Sequence, residues 1–495
     1  MFEDSTSEDI EKAMNAAEEA FLVYKKMPLK TRANFMREIA IEIEALGDAL
    51  IEKAMEESHL PEARMRGERA RTIFQLNSYA AACEKGDWLE AKIDTADNHK
   101  TPPKPDIRKM LIPLGPVIVF GASNFPFAYS TAGGDTACAF AAGCSVVVKA
   151  HPAHAATSQM VANAIFSAIK KLNLPTGLFA HVHGAAAAVG EALVKHPLTK
   201  AVGFTGSFTG GKQLFDWGNQ RPIPIPVFAE MGSVNPVFML PQKMKQDAVA
   251  LGEQMAASIT LGVGQFCTNP GIMVAIDDEG LLVFKQQLIA SIQKTPAAKM
   301  LHAGISKNYH QKKSAVLTQT TAETLVEVVH DVSEGMGLAH ITTTDAATFL
   351  NNALLHEEVF GPYSIIVTCK NNEEMLAVAA SLQGQLTVTV MGTVDEISNN
   401  ELLLNCLQEK CGRFILNGVP TGVEVCASMQ HGGPFPATTD SRFTAVGADG
   451  IKRFARPLSY QNWPNDLLPD VLKNENPLHI RRMVNNEWQD EALSI

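Results

Sequence analysis

The sequence predicts an α/β protein in which a doubly wound parallel sheet is followed by a second α/β region. Three observations lead there. Between Gly115 and Lys171 an apolar run, Val117-Ile118-Val119-Phe120, gives way to an Ala/Gly-rich stretch over 130–142; a second apolar run over 145–149 then precedes a helical pattern over Ala155–Lys171. Strand, helix, strand, helix at this spacing marks a parallel sheet, because parallel neighbours need a long crossover connection. The alternation continues with a strand at Phe179–Val182, a helix near 186–195 and a strand over 201–207 that ends in Gly206-Ser207. After Gly232 a second α/β region begins, with strands near Ile272–Ile276, 363–368 and 414–417.

The segments around this core follow in chain order. Residues 8–90 read as helices: Ser7-Glu8-Asp9-Ile10 is an N-terminal cap, and Met36, Ile39, Ile43 and Leu46 recur at helical spacing. Residues 61–79 form a basic helix, with Arg64, Arg66, Arg69 and Arg71 interleaved with Glu62 and Glu68, and a solvated, ion-paired face is its simplest reading. Residues 92–113, polar and rich in Thr, Lys and Pro, form a hairpin or linker. From Tyr460 onward Trp, Pro and charge mix in a tail expected to dock on a partner rather than to build a core.

Composition removes several function classes. A chain of 495 residues with 46% hydrophobic content accommodates two or three domains with large cores. The net charge of −11 excludes a general nucleic-acid binder, which needs clustered Lys and Arg. No apolar run reaches the length of a membrane span, and the acidic start Met1-Phe2-Glu3-Asp4-Ser5 is neither a signal nor a transit peptide. The eight cysteines (83, 138, 144, 267, 369, 406, 411 and 426) include no CxxC pair. They read as reduced thiols of a cytoplasmic protein with no structural metal.

Chemistry concentrates in two segments. Gly264-Gln265-Phe266-Cys267-Thr268-Asn269-Pro270-Gly271 sets one cysteine among small and turn-forming residues, where a loop meeting a helix start would lower its pKa. Cys267 is thereby either a nucleophile or an inert core thiol. Phe228-Ala229-Glu230-Met231-Gly232-Ser233 supplies a carboxylate among apolar residues, where desolvation would raise its pKa toward that of a general base. Ligands of parallel sheets bind at strand C-termini, and Ser123-Asn124, Lys149, Gly206-Ser207 and Glu230-Met231-Gly232 stand at those positions. The GxGxxG dinucleotide fingerprint is absent, so a dinucleotide would use Lys149 on ribose or phosphate and the Gly206-Ser207 turn on pyrophosphate.

Taken together, Gly-Ala-Ser-Asn124-Phe-Pro, Val-Val-Lys149, Phe-Thr-Gly206-Ser207, Glu230-Met-Gly232, Gly-Gln-Phe-Cys267 and Glu358-Val-Phe360-Gly-Pro resemble, in content and order, the aldehyde dehydrogenase superfamily, over about residues 10–460. The resemblance implies a Rossmann-type cofactor domain (1–91 and 114–232), an α/β catalytic domain (233–432) and an oligomerisation element (92–113 and 433–495). It implies that Cys267 attacks the aldehyde carbon and that Asn124, with the Cys267 backbone N–H, stabilises the oxyanion. Glu230 would activate the water that hydrolyses the resulting thioester. Lys149 and Glu358 would hold cofactor ribose, Phe360 would pack near the nicotinamide, and Gly206, Ser207 and Gly232 would line the cofactor site. Without the resemblance, Glu358 is equally a surface carboxylate beside Glu357. Relatives that pass the acyl group to coenzyme A lack the Glu230 base, so a free acid is the expected product. A non-catalytic relative would lose Cys, Glu or Asn at the site, and all three are present; a cofactor-independent thiol esterase would leave Lys149, Glu358 and Phe360 without a role.

Departures from the common pattern narrow the expectation. Pro152 stands where NAD-preferring members carry a ribose-binding Glu, so nothing would repel a 2′-phosphate, which Lys149, His151 or His154 could neutralise; NADP is the expected cofactor, with NAD possible. Ala122-Ser123 before the Asn, Ala-Gly-Gly-Asp-Thr-Ala (132–137) and Lys-Ala-His-Pro-Ala-His (149–154) are similar to one branch of the superfamily. That branch holds 2,5-dioxopentanoate dehydrogenases and NADP-dependent fatty-aldehyde dehydrogenases. A carboxylated substrate needs a buried cation, and Arg71, on one helix face with Arg64, falls where the family's helix borders the substrate tunnel. His431, in Met429-Gln430-His431-Gly432-Gly433, either assists proton transfer near the thiolate or is a packing residue. The 92–113 hairpin and a late strand near 456–462 resemble subunit-bridging elements, implying a homodimer or homotetramer.

Overall fold

The computed structural model describes residues 2–319, 322–328 and 334–493; Met1, residues 320–321 and 329–333, and the last two residues of the tail lie outside the described residues. The N-terminal helix runs Ser7–Tyr24. Its cap is Thr6 rather than Ser7: the Thr6 side chain accepts from Asp9 N–H while the Asp9 carboxylate accepts from Thr6, a reciprocal capping box. The basic helix runs Glu62–Lys85, past the predicted end at Tyr79, to Gly86 in the left-handed conformation.

The expected parallel sheet is present. Its spatial order is Phe179–Val182, Val146–Lys149, Val117–Phe120, Ala201–Thr205, Val227–Glu230, parallel throughout. The helix predicted over 130–142 begins only at Gly134, because the residues after Asn124 first form turns. From the central strand Val117–Phe120 the chain moves outward to one side through two strands, then returns to the other side. That reversal opens a crevice beyond the strand C-termini between Val117–Phe120 and Ala201–Thr205. Asn124, Lys149, Gly206 and Glu230 follow or end strands at that edge.

A second, seven-stranded sheet orders Glu323–Glu327, His340–Asp345, Tyr363–Cys369, Ile272–Ile276, Val237–Met239, Gln385–Met391 and Cys411–Leu416. Its pairs are parallel except the first. The segment Ala437–Thr439 runs along the outer edge of Val227–Glu230: Met231 N–H donates to Ala437 O at 2.8 Å and Thr439 N–H to Ala229 O at 3.1 Å. This seam carries the chain around His431 to the end of the Glu230 strand.

A third sheet, Ala455–Gln461, Ile107–Pro113, Lys92–Asp94, Arg482–Val484 and Glu487–Gln489, joins the hairpin to the tail. The tail differs from its expectation. Leu468, Val471, Leu472, Ile480 and Val484 are buried in the same core as Trp88 and Ile93, and Arg482 is fully buried with its guanidinium on tail carbonyls. Apolar residues spaced among Pro and Asn give no periodicity to read, yet they close this chain's own core. Among the described residues no helix is long and apolar enough to cross a membrane.

Candidate active site

Cys267 lies in a turn after the helix Pro241–Thr260 and the short 3-10 turn Leu261–Gly264, ahead of the strand Ile272–Ile276. It is not at a helix start, as the sequence led one to expect. Three consecutive residues, Gly262, Val263 and Gly264, take positive φ (55°, 58° and 64°), a rare conformation for β-branched Val263. The turn is held by buried polar groups. Asn235 Nδ2 donates to Cys267 O at 2.9 Å and Asn269 O at 3.0 Å, and Gln385 Oε1 accepts from Ser233 Oγ and Val234 N–H. Gly264 packs directly on Gly361, where a Cβ would stand 2.3 Å from the Gly361 oxygen. The contact locks the Glu358–Phe360 segment to the cysteine loop.

The expectation of a depressed Cys267 pKa is overturned. Burial, and then the Glu230 carboxylate, push the thiol well above its ordinary value. No helix dipole offsets this, because no helix begins there. Glu230 is 4% exposed, and among the described residues its oxygens take no hydrogen bond from outside the pair Cys267 and His431. His431, 1% exposed, sets Nε2 at 3.1 Å from Glu230 Oε1 and 3.7 Å from Cys267 Sγ. Its backbone is fixed by N–H donation to Thr444 Oγ1 and by Ala445 N–H on its carbonyl. The three side chains that sequence spacing left far apart form one cluster. One imidazole nitrogen faces both partners, so this is not a Cys–His–carboxylate relay, in which the carboxylate would orient the opposite nitrogen.

Asn124 Nδ2 donates to Gln265 O at 3.2 Å, which lays its amide against the cysteine loop. Two residues the sequence did not single out complete this wall. Glu68, expected on a solvated face, is buried, accepts from Phe127 and Ala128 N–H, and pairs with Arg64 at 3.5 Å. Tyr129 has a buried hydroxyl without a partner, and its ring lies 6.2 Å from that of His431.

The arginine helix divides. Arg66 is exposed and paired with Asp48 and Glu62, as a solvated face requires. Arg64 lies over the Phe125 and Phe266 rings (4.3 and 4.6 Å), and Arg71 over Tyr129 (6.0 Å). Arg71 donates through Nη1 to Val423 O, leaving buried Nε and Nη2 without partners. Arg413, on the strand Cys411–Leu416, donates to Gly422 O and Pro420 O, and its buried Nε is also unpartnered. Its charge reaches Cys267 and Tyr129. Two guanidiniums thus hold carbonyls of one loop, residues 420–423. Nothing local in Cys411-Gly-Arg-Phe announces Arg413; sheet pairing alone brings it here.

On the cofactor side, Lys149 ends its strand partly buried, and desolvation lowers its pKa. Gly206 and Ser207 are exposed, and Ser207 Oγ caps the helix Phe208–Asn219 by accepting from Gly210 N–H. Glu358 is pushed up to about 7 by burial, against the charge of Lys312, and lies so close to Gly232 that a Cβ there would stand 2.5 Å from its Oε2. Glu358 and Phe360 line one cavity with Ser233 and Gly264. These groups fit a dinucleotide lying across the strand ends: an open helix N-terminus, a cation and a half-buried carboxylate.

One carboxylate does approach Lys149. Asp4, from the N-terminal segment, accepts from Ala185 and Ala186 N–H at 2.7 and 3.1 Å, and its charge reaches Lys149. Burial also holds His151 and His154 below their ordinary pKa, so both are neutral at pH 7.

Comparison with known proteins adds to this geometry. The sequence profile of the aldehyde dehydrogenase family matches residues 1–434. The chain is similar to the alpha-ketoglutaric semialdehyde dehydrogenase 2 of Azospirillum brasilense, 47% identical over 481 residues, covering 96% of this chain and 91% of that protein. It is similar also to the alpha-ketoglutaric semialdehyde dehydrogenase of Acinetobacter baylyi, 44% identical over 487 residues, covering 98% and 92%. In fold it is similar to betaine aldehyde dehydrogenase from Staphylococcus aureus, solved with NAD+, at TM-score 0.79, 19% identity and coverage of 94% and 91%. A second solved fold relative is the glyceraldehyde-3-phosphate dehydrogenase of Methanocaldococcus jannaschii complexed with NADP, at TM-score 0.78, 19% identity and coverage of 93% and 95%.

Proposed function

This chain belongs to the aldehyde dehydrogenase family, and from that premise we propose that it oxidises 2,5-dioxopentanoate to 2-oxoglutarate with a nicotinamide dinucleotide. The observation that carries the substrate is the pair Arg71 and Arg413. Both guanidiniums are anchored on the 420–423 loop, both retain buried N–H groups without partners, and both lie near Tyr129. Buried donors of this kind are costly unless an anion meets them. A substrate ending in a 2-oxo carboxylate supplies that anion, and the Tyr129 hydroxyl supplies a donor for its ketone. An alkyl aldehyde supplies nothing. The names of the two relatives of highest quoted identity point to the same substrate.

In this reading Cys267 Sγ bonds to the aldehyde carbon, and the thiol proton passes to His431 Nε2, the basic nitrogen nearest it. The Asn124 amide and the Cys267 N–H hold the developing oxyanion. Loss of hydride leaves a thioester on Cys267; the bound dinucleotide supplies the hydride acceptor. Glu230 then takes a proton from the water that attacks the thioester and passes it to solvent, while the leaving thiolate recovers its proton from His431 as the acid is released. Lys149 and Glu358 hold ribose, Gly206, Ser207 and Gly232 admit the dinucleotide backbone, and Phe360 flanks the nicotinamide.

For the cofactor, the missing carboxylate at Pro152 favours NADP, while Asp4 and the neutral His151 and His154 narrow that advantage to Lys149 alone. Both cofactors are used, with NADP ahead. The third sheet and its hairpin join subunits in a homodimer or homotetramer.

The test is initial rate at the reduced-nicotinamide band with 2,5-dioxopentanoate, succinic semialdehyde and decanal, each with NAD and NADP. A marked advantage for 2,5-dioxopentanoate is expected. Preference for decanal would assign the chain to fatty aldehydes and leave the two arginines as loop anchors.

A further inference from the structure

The Cys267–Glu230–His431 cluster has a second chemical capacity, separate from turnover. Its three ligand-capable atoms, Sγ, a carboxylate oxygen and an imidazole nitrogen, lie within 4.8 Å of one another. Nε2 is 3.1 Å from Oε1 and 3.7 Å from Sγ. A tetrahedral zinc ion with ordinary bond lengths needs about 3.4 Å between its nitrogen and oxygen ligands and about 3.5 Å between nitrogen and sulfur. Those two separations are within about 0.3 Å of what one ion needs, and the third, from Sγ to the carboxylate oxygen, is no longer than 4.8 Å, so the Cys267 and Glu230 side chains turn toward each other to complete the set. The second observation is Glu230 itself, a carboxylate 4% exposed whose side chain faces His431 Nε2 and the Cys267 thiol and, among the described residues, takes no hydrogen bond from outside that cluster. A buried carboxylate whose only hydrogen-bonding neighbours among the described residues are the other two ligands is a group that a shared dication stabilises.

We propose that this cluster is a reversible zinc-binding site that switches the enzyme off. Zn2+ binds Cys267 Sγ, His431 Nε2 and one Glu230 oxygen, with the fourth position open to solvent or substrate oxygen. The thiol proton is released to bulk water as the S–Zn bond forms, and no electron changes hands. A thiolate, a carboxylate and a dication sum to a neutral buried cluster. Arg413, whose charge reaches Cys267 and whose Nη1 and Nη2 donate to Gly422 O and Pro420 O, lowers the affinity by charge without occupying the ligands. Other free thiols, including exposed Cys426, lack this set: among the described residues no other group of three such side chains converges. Binding rests on the three side chains alone; its consequence, loss of turnover, rests on the proposed function.

The experiment reads the two separately. Metal-free protein is titrated with Co2+, followed by the thiolate-to-cobalt absorption in the near ultraviolet, and Zn2+ is then added in competition. One Co2+ per chain, displaced by Zn2+, is expected. Cys267→Ser should abolish the band. His431→Gln and Glu230→Gln, each verified as folded by circular dichroism, should weaken binding by more than the roughly 10–100-fold that loss of an outer partner costs. Cys426→Ser should bind as the parent does. A band that survives Cys267→Ser, or unchanged affinity in both His431→Gln and Glu230→Gln, would overturn the site. Zn2+ should then suppress aldehyde oxidation in parallel with occupancy, and chelation should restore it; occupancy without inhibition would overturn the switch. A metal-free protein that binds Co2+ as described but oxidises no aldehyde would refute the function instead, and leave the site standing.

Discussion

Replacing Arg71 by Met tests the substrate assignment most directly. Met keeps the length and apolar bulk of the stem that lies by Tyr129, while removing the charge and the N–H groups. Arg71 has one anchored nitrogen and two spare ones. Two spare donors in fork geometry match a carboxylate, and one hydrogen bond to a charged group is worth about 1.5–3 kcal/mol. At about 1.4 kcal/mol per tenfold, losing one such bond lowers kcat/KM for 2,5-dioxopentanoate by roughly 10–150-fold. Pentanal, of the same carbon count but without the carboxylate and ketone, measures what the change does to the loop anchored at Val423, and should fall no more than a few-fold. Arg71→Lys should recover part of the loss, since it restores charge without the fork. The assay is steady-state rate at the reduced-nicotinamide band for both substrates. An equal fall on both would refute the reasoning and reduce Arg71 to a loop anchor.

Three further outcomes follow from the same geometry. Because Glu230 raises the Cys267 pKa, Glu230→Gln should accelerate alkylation of Cys267 by iodoacetamide at pH 7.5 while slowing steady-state oxidation by about 100-fold or more, with a first-turnover burst of reduced cofactor; slower alkylation would show that Glu230 generates the thiolate. Glu358, pushed up to about 7, becomes a full acceptor for ribose hydroxyls only once ionised, so cofactor affinity should rise as pH increases through 7 and lose that dependence in Glu358→Gln, read by fluorescence titration. Truncation after Trp463 removes Leu472, Ile480 and the strand that pairs with Lys92–Asp94, so the shortened chain should be recovered aggregated or unfolded by circular dichroism; a folded, active product would return the tail to the role of a detachable arm.

The parallel sheet was legible because its information is local. Buried strands such as Val117–Phe120 and Val146–Lys149 write themselves as short continuous apolar runs, and a helical pattern between them leaves one connection. The motif residues were legible for the same reason, each being a short run at a strand end. Environment was not. The Cys267 pKa depends on the absence of a helix start and on a carboxylate delivered by another strand. Burial of Glu68 and division of the arginine helix depend on which face meets the loop after Asn124. The tail enters this chain's own core through unperiodic apolar residues, and Asp4 reaches Lys149 from the opposite end of the chain. By itself the sequence determined the α/β architecture and the chemical groups available. Only tertiary structure decided which of them meet, because charge and desolvation act through space over a few ångströms, whereas sequence records distance along the chain.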